Sequence, residues 1–245
     1  MNGDLRAETV TFAGSGGDPV EAYLAQPLDQ RVRGGVVVIH HMPGYDDGTR
    51  EITRRFAAQG YDALCPNLYS REAPGADPDD AAAAVRAAGG VPDERLVGDV
   101  AGAAAHLRSL AASNGKVGVI GYCSGGRQAF LAALSVDLDA AVDCYGGFVV
   151  GPAPEGDPRA PLVDRVGELR CPLLGLFGAK DSRPSPAETE VLRQALVEAG
   201  RPFEFHTYDD AGHGFFAPER PGYRPAAAKD GWQRIWTFFG QHLSS

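Results

Sequence analysis

The chain has 245 residues, 44% of them hydrophobic, and a chain of that length buries about 70–75% of its unfolded surface in one core, so a single domain spanning residues 1–245 is expected. A net charge of −9, with no cluster of Lys or Arg interleaved with aromatic residues, excludes a phosphate-tracking surface, so nucleic acid is not an expected partner. No apolar run approaches the length of a membrane span, so a membrane is not one either.

In chain order, residues 8–12 and 20–25 are predicted as an antiparallel strand pair joined by the turn Gly14-Ser15-Gly16-Gly17-Asp18. Strands and helices then alternate: a strand over 35–39, a helix over 49–59, a strand over 61–65, and a low-complexity Asp/Ala stretch at 77–84 read as a short helix. There follow a helix over 94–111, a strand over 115–120, a helix over 127–134 and strands over 138–144 and 173–177. The chain closes with a helix over 186–199, a strand over 203–208 and a helix over 226–243. The Pro- and Gly-rich segment 151–158 reads as a loop, because the alternation resumes after it. This order implies an α/β protein: a mostly parallel central sheet with helices on both faces and the antiparallel pair at its N-terminal end.

The N-terminus has no basic stretch leading into an apolar run. Cys65, Cys123, Cys144 and Cys171 show no C-x-x-C or zinc-like spacing and lack the density of a secreted scaffold. A cytoplasmic protein is expected.

The most informative string is Gly121-Tyr122-Cys123-Ser124-Gly125-Gly126, which follows the apolar run 116–120 and precedes a helical stretch. That context is the nucleophile elbow of an α/β-hydrolase, with cysteine in place of the usual serine. The flanking glycines allow a strand to reverse sharply into a helix, leaving Cys123 exposed at the helix N-terminus. There the helix dipole and free N–H groups favour a thiolate and can hold the oxyanion of an acyl intermediate. A Gly-x-Cys-x-Gly string alone is weak evidence, and a merely buried cysteine is the competing reading.

The remaining two members of a triad decide between them. In this fold the acid follows one late strand and the histidine the next. Asp181 follows the apolar run 172–178, and His213 sits between two glycines after the strand over 203–208. Both therefore fall at carboxyl ends of strands, as Cys123 does, where open α/β sheets collect catalytic groups. Asp181, Ser182 and Ser185 are each candidates to cap the helix at 186, and Asp209 and Asp210 read as a solvated turn. His206 lies inside a strand, His106 inside a helix and His242 in the C-terminal region, none placed like a base.

These residues resemble the dienelactone hydrolases, or carboxymethylenebutenolidases, cysteine members of the α/β-hydrolase fold that open a small unsaturated lactone during aromatic-compound degradation. The resemblance runs through Gly60-Tyr61-Asp62-Ala63-Leu64-Cys65-Pro66-Asn67-Leu68-Tyr69, Arg71, Ala73-Pro74-Gly75, Asn114-Gly115-Lys116-Val117-Gly118, Gly121-Tyr122-Cys123, Asp181 and Ala211-Gly212-His213. It implies a Cys123-Asp181-His213 triad, an oxyanion hole from the N–H groups of Met42 and Ser124, and a thioester intermediate without a cofactor. Lactonases of the family carry a glutamate where this chain has His41, and of two arginines that grip the lactone carboxylate, Arg86 matches one while Ala217 replaces the other. Arg220 and Arg224 are the nearby candidates to compensate, and His41 and Arg86 are the expected substrate-binding residues.

His40 and His41 raise the question of a metal. Adjacent residues at a strand end point to opposite faces, so the two rings should not chelate one ion, and no metal is expected. Two alternatives stay open: a general esterase or thioesterase of the same fold, and a non-catalytic binding or redox-sensing protein in which Cys123 is reversibly oxidised. Oligomeric state has no signature in the sequence.

Overall fold

The run Val36-Val37-Val38-Ile39 is β-branched throughout and wholly buried, the signature of a strand covered on both faces. In the computed structural model, which describes residues 4–29, 31–151 and 159–244, it is the centre of β3 (Arg33–Ile39). The other strands are β1 (Leu5–Ala13), β2 (Pro19–Pro27), β4 (Asp62–Pro66), β5 (Ser113–Tyr122), β6 (Ala140–Cys144), β7 (Leu173–Gly178) and β8 (Phe203–Tyr208). All eight form one sheet in the order β1-β2-β4-β3-β5-β6-β7-β8. β2 pairs antiparallel with both β1 and β4, and every pairing from β4 onward is parallel.

Among the described residues, six α-helices cover the two faces. α1 (Asp47–Ala58) and α6 (Pro225–Leu243) supply Phe56, Ile235, Phe238 and Phe239 to one apolar layer, which they share with Val36, Val38, Ile120 and Val142. α2 (Pro78–Ala87), α3 (Asp93–Ser109), α4 (Ser124–Ser135) and α5 (Pro186–Glu198) face the other layer, around Leu64, Val119, Phe130 and Leu192. The alternation of facing residues along β3 and β5 divides the core into these two layers.

Most expected elements are present, and their boundaries moved for identifiable reasons. α4 starts at Ser124 rather than 127, because Gly125 and Gly126, read as turn residues, are the first helical turn of the elbow. The N-terminal strands run longer than expected, since β1 is a largely exposed edge strand that the alternation test catches only in part. The cap of α5 is Ser185, whose side chain accepts from the Glu188 N–H while Glu188 accepts from the Ser185 N–H, so Asp181 is left for other work. Most of the expected loop at 151–158, residues 152–158, lies outside the described residues.

Candidate active site

Between the end of β5 and the start of α4 stands a single residue, Cys123. Its backbone, at φ 57° and ψ −120°, lies in a region that non-glycine residues rarely occupy and that costs on the order of 1–3 kcal/mol. The surroundings hold it there. A Cβ at Gly121 would collide with the Gly125 carbonyl, and one at Gly125 would come within 2.6 Å of the Ile39 carbonyl oxygen, so the helix can sit directly on the strand ends only with glycine at both positions. The Cys123 N–H donates to the Cys144 carbonyl at 3.0 Å, tying the elbow to β6. The thiol is left half-buried beside a cavity, whereas Cys65, Cys144 and Cys171 are buried.

The bend after β7 positions Asp181, whose N–H donates to the Gly178 carbonyl and whose Oδ1 accepts from the Arg183 N–H at 2.8 Å. The other oxygen, Oδ2, lies 2.9 Å from His213 Nδ1. The Asp181 side chain is 1% exposed and that of His213 is 39% exposed, so the pair runs from the core outward to the cavity. Burial opposes a charge on His213. The hydrogen bonds to Asp181 and Cys123 outweigh it and lift the imidazole from its usual 6.5 to about 10. The Tyr145 ring stands edge-on to the imidazole, with centroids 5.1 Å apart. The arrangement is that of a nucleophile, a base and an acid in contact order.

The loop after β3 forms the opposite wall. His40 turns into the core, with Nδ1 2.9 Å from the His41 carbonyl, Nε2 accepting from the Leu68 N–H at 3.3 Å, and its ring edge-on to Tyr69. Burial pushes its pKa down to about 4, so the ring is neutral and its tautomer is set by those two contacts. His41 points the other way and lines the cavity with Met42. Among the described residues, the N–H groups of Met42 and Ser124 are taken by no backbone acceptor in a turn, loop or cap, as an oxyanion hole requires. His41 occupies the place where a carboxylate was missed in the sequence. Asp46 restores one nearby, its Oδ2 3.0 Å from His41 Nε2.

The cavity holds about 180 Å³ and its walls are mainly aromatic and aliphatic: Ile52, Tyr122, Tyr145, Phe216 and Trp232 beside Cys123 and His213. Charge enters at the margin from Glu51 and Arg55 of α1 and from Glu219 and Arg220 after the catalytic loop. These charges are partnered. Arg55 lies 3.7 Å from Glu51 and over the Trp232 ring, and Arg220 lies 4.0 Å from Glu219. Arg86, expected as a substrate-binding residue, is exposed in the last turn of α2 and is not among the lining residues. Its charge reaches Tyr69, whose hydroxyl also feels Cys123. Arg224 instead donates to the carbonyls of Asp210, Pro221 and Tyr223, so Arg220 is the nearby arginine that faces the cavity.

Four residues of the site escaped the sequence reading. Tyr145 follows β6, and the same strand-end rule that selected Asp181 would have found it. Asp46 carried a helix-start signal, an Asp three residues before Thr49, that was not used. Arg55 and Trp232 lie on helices whose rotation about their axes is set only by packing, and no local signal marks them.

Known proteins match this chain over nearly its whole length. The family model described as the dienelactone hydrolase family matches residues 20–243. A carboxymethylenebutenolidase of Pseudomonas putida is 35% identical over 202 residues, covering 79% of each chain. A Salmonella typhimurium protein provisionally named carboxymethylenebutenolidase is 38% identical over 243 residues, 95% of this chain and 87% of that one. A crystal structure of a Klebsiella pneumoniae protein, provisionally described as a dienelactone hydrolase, superposes with a TM-score of 0.87 at 31% identity, over 98% of this chain and all of that one.

Proposed function

Since the chain belongs to the dienelactone hydrolase family and is a hydrolase of ester or lactone bonds, we propose that it acts through a Cys123-Asp181-His213 triad and a cysteinyl thioester. One observation carries this reading: Cys123, held in a strained elbow, faces an imidazole whose other nitrogen lies 2.9 Å from a buried carboxylate. With His213 protonated, the sulfur attacks as a thiolate and forms the carbon–sulfur bond, while the carbonyl oxygen becomes an oxyanion held by the N–H groups of Met42 and Ser124. As the intermediate collapses the ester carbon–oxygen bond breaks, and the His213 proton goes to the leaving alkoxide. The neutral ring then takes a proton from water, whose oxygen attacks the thioester and releases the acid and the thiolate. Asp181 stays ionised throughout, fixing the tautomer and balancing the imidazolium.

The substrate is a small ester or lactone, and the cavity walls favour a broad range over a dedicated anion site. Both lining arginines already have carboxylate partners, and Arg86 lies outside the lining. An anionic lactone would meet Glu51 and Glu219 beside those arginines, whereas a neutral ester meets aromatic surface at once. This favours the general-esterase reading, with dienelactone as one substrate among several. A cytoplasmic setting belongs to the same proposal, supported by four free cysteines. The test is turnover of p-nitrophenyl acetate: Cys123→Ala should abolish it and leave the circular dichroism spectrum unchanged, because a half-exposed thiol adds little packing. Wild-type turnover in that folded variant would remove the assignment.

A further inference from the structure

The triad chemistry makes no use of His41, yet that ring lines the cavity holding Cys123 and directly precedes Met42 on the oxyanion loop. One end of the ring is fixed. Nε2 is enclosed, has no other polar partner, and lies 3.0 Å from Asp46 Oδ2 on a bent approach. Asp46 is itself fixed as the N-cap of α1, its Oδ1 accepting from the Thr49 N–H and the Thr49 hydroxyl, each at 2.8 Å. Burial alone would raise the Asp46 carboxyl, but contact with His41 and the Thr49 donors holds it at about 2.

An ionised carboxylate accepts and cannot donate, so the neutral His41 ring keeps its proton on Nε2 and leaves a lone pair on Nδ1. Nδ1 is not among the enclosed, unpartnered atoms and makes no hydrogen bond among the described residues. It is the second polar atom of a side chain that lines the cavity.

We propose that His41 is a specificity-determining residue whose Nδ1, set as an acceptor by Asp46, pairs with a hydroxyl or N–H donor on the acyl group beside the scissile carbonyl. The preferred substrates are then hydroxyacyl or amidoacyl esters rather than their alkyl isosteres. The inference rests on the reading of Cys123 as nucleophile, since a carbonyl seated on the Met42 N–H brings its neighbouring carbon to the preceding residue. His41 makes and breaks no covalent bond in this role.

Asp46 sharpens the consequence. In Asp46→Asn the two Thr49 donors keep the amide oxygen at the Oδ1 position, so the amide nitrogen takes the Oδ2 position and donates to Nε2. The ring proton then moves to Nδ1, and the acceptor becomes a donor.

The experiment compares two pairs of phenyl esters at alkaline pH, each kcat/KM divided by that ester's alkaline hydrolysis rate. Glycolate and propionate are isosteric with hydroxyl for methyl, while methoxyacetate offers only an acceptor against its isostere butyrate. The wild type should prefer glycolate over propionate roughly tenfold, the effect of one buried hydrogen bond. His41→Leu should bring that ratio to about one, and His41→Gln, which retains an acceptor, should keep part of it. Asp46→Asn should raise methoxyacetate several-fold over butyrate. If Asp46→Asn does not fold for want of its cap, the His41→Leu and His41→Gln ratios decide alone. A glycolate preference unchanged in His41→Leu, with turnover still dependent on Cys123, overturns this inference only; hydrolysis that survives Cys123→Ala overturns the nucleophile assignment instead.

Discussion

Two buried carboxylates stand on neighbouring strands beside the elbow, and they are alike in little but burial. Asp181, after β7, has both oxygens partnered, one by the Arg183 N–H and one by His213. Asp143, in β6, accepts from the Gly146 N–H at 2.7 Å and leaves its second oxygen without a partner among the described residues. Burial pushes Asp143 up to about 7, with the Gly146 N–H opposing only in part. Its Oδ1 fills the space a Cβ at Gly126 would need, so it packs beneath the first turn of α4. A buried acid is thus marked for catalysis by a partner that needs its charge, and burial by itself marks only a cost.

The sharpest way to break that comparison is to neutralise each acid in turn. Asp181→Asn should lower kcat/KM by about 10³–10⁴, through loss of imidazole orientation and charge balance, while Asp143→Asn should stay within about threefold of wild type. Steady-state kinetics on p-nitrophenyl acetate reads both. Equal losses would mean that Asp143 takes part in the chemistry and that partners do not distinguish the two.

Stability should separate them in the opposite sense. The folded-state pKa of Asp143 is raised, so below about pH 4 the group is protonated folded or unfolded and imposes no penalty. As pH rises from there to about 7 the unfolded chain ionises first, and stability is lost across that window by up to about 4 kcal/mol. Asp143→Asn should therefore gain on the wild type between acidic and mildly alkaline pH in urea denaturation. Taking the difference between the two proteins cancels the contribution of His213, whose raised pKa also removes stability as pH rises from about 6.5 to about 10. Parallel curves for the two proteins would show that Asp143 is ionised as easily in the fold as outside it.

A smaller effect concerns the thiol. The imidazole that contacts Cys123 is held protonated well above its usual 6.5, so iodoacetamide should alkylate Cys123 on the order of tenfold faster in the wild type than in His213→Gln near neutral pH. Equal rates in the two proteins would mean that the imidazole does not assist the sulfur. Smallest of all, Arg220→Ala and Arg86→Ala should each change the preference for a carboxylate-bearing lactone over its methyl ester by less than about tenfold, since one arginine is paired and the other lies outside the cavity lining. Loss of a several-thousandfold preference in either variant would identify a dedicated anion site.

What was legible in the sequence was what depends on strand ends. Cys123, Asp181 and His213 could each be placed because a short apolar run has a definite end, and in a parallel sheet those ends share one edge. Arg86 could not, because a residue on a helix is placed by the helix's rotation and docking, and the buried stripe of α2, Ala81, Ala82 and Val85, is made of side chains too small to fix either closely. Tyr145 stands at a strand end and so was open to the same rule, but nothing in Cys144-Tyr145-Gly146 announces the φ of 46° that accompanies the turn of its ring onto the His213 imidazole. The His41–Asp46 contact spans a loop whose path the sequence does not dictate, so the missing glutamate was visible while its replacement was not.

The central claim is that Cys123 carries the acyl group, and rapid quenching tests it most directly. Protein mixed with p-nitrophenyl acetate, quenched in acid within the first turnover and digested, should yield the peptide containing Cys123 with one acetyl group that hydroxylamine removes. The adduct should accumulate in Asp181→Asn, where deacylation is slowed, and be absent from Cys123→Ala. Turnover with no adduct on that peptide at any time, or only sulfenic acid there, would contradict the account.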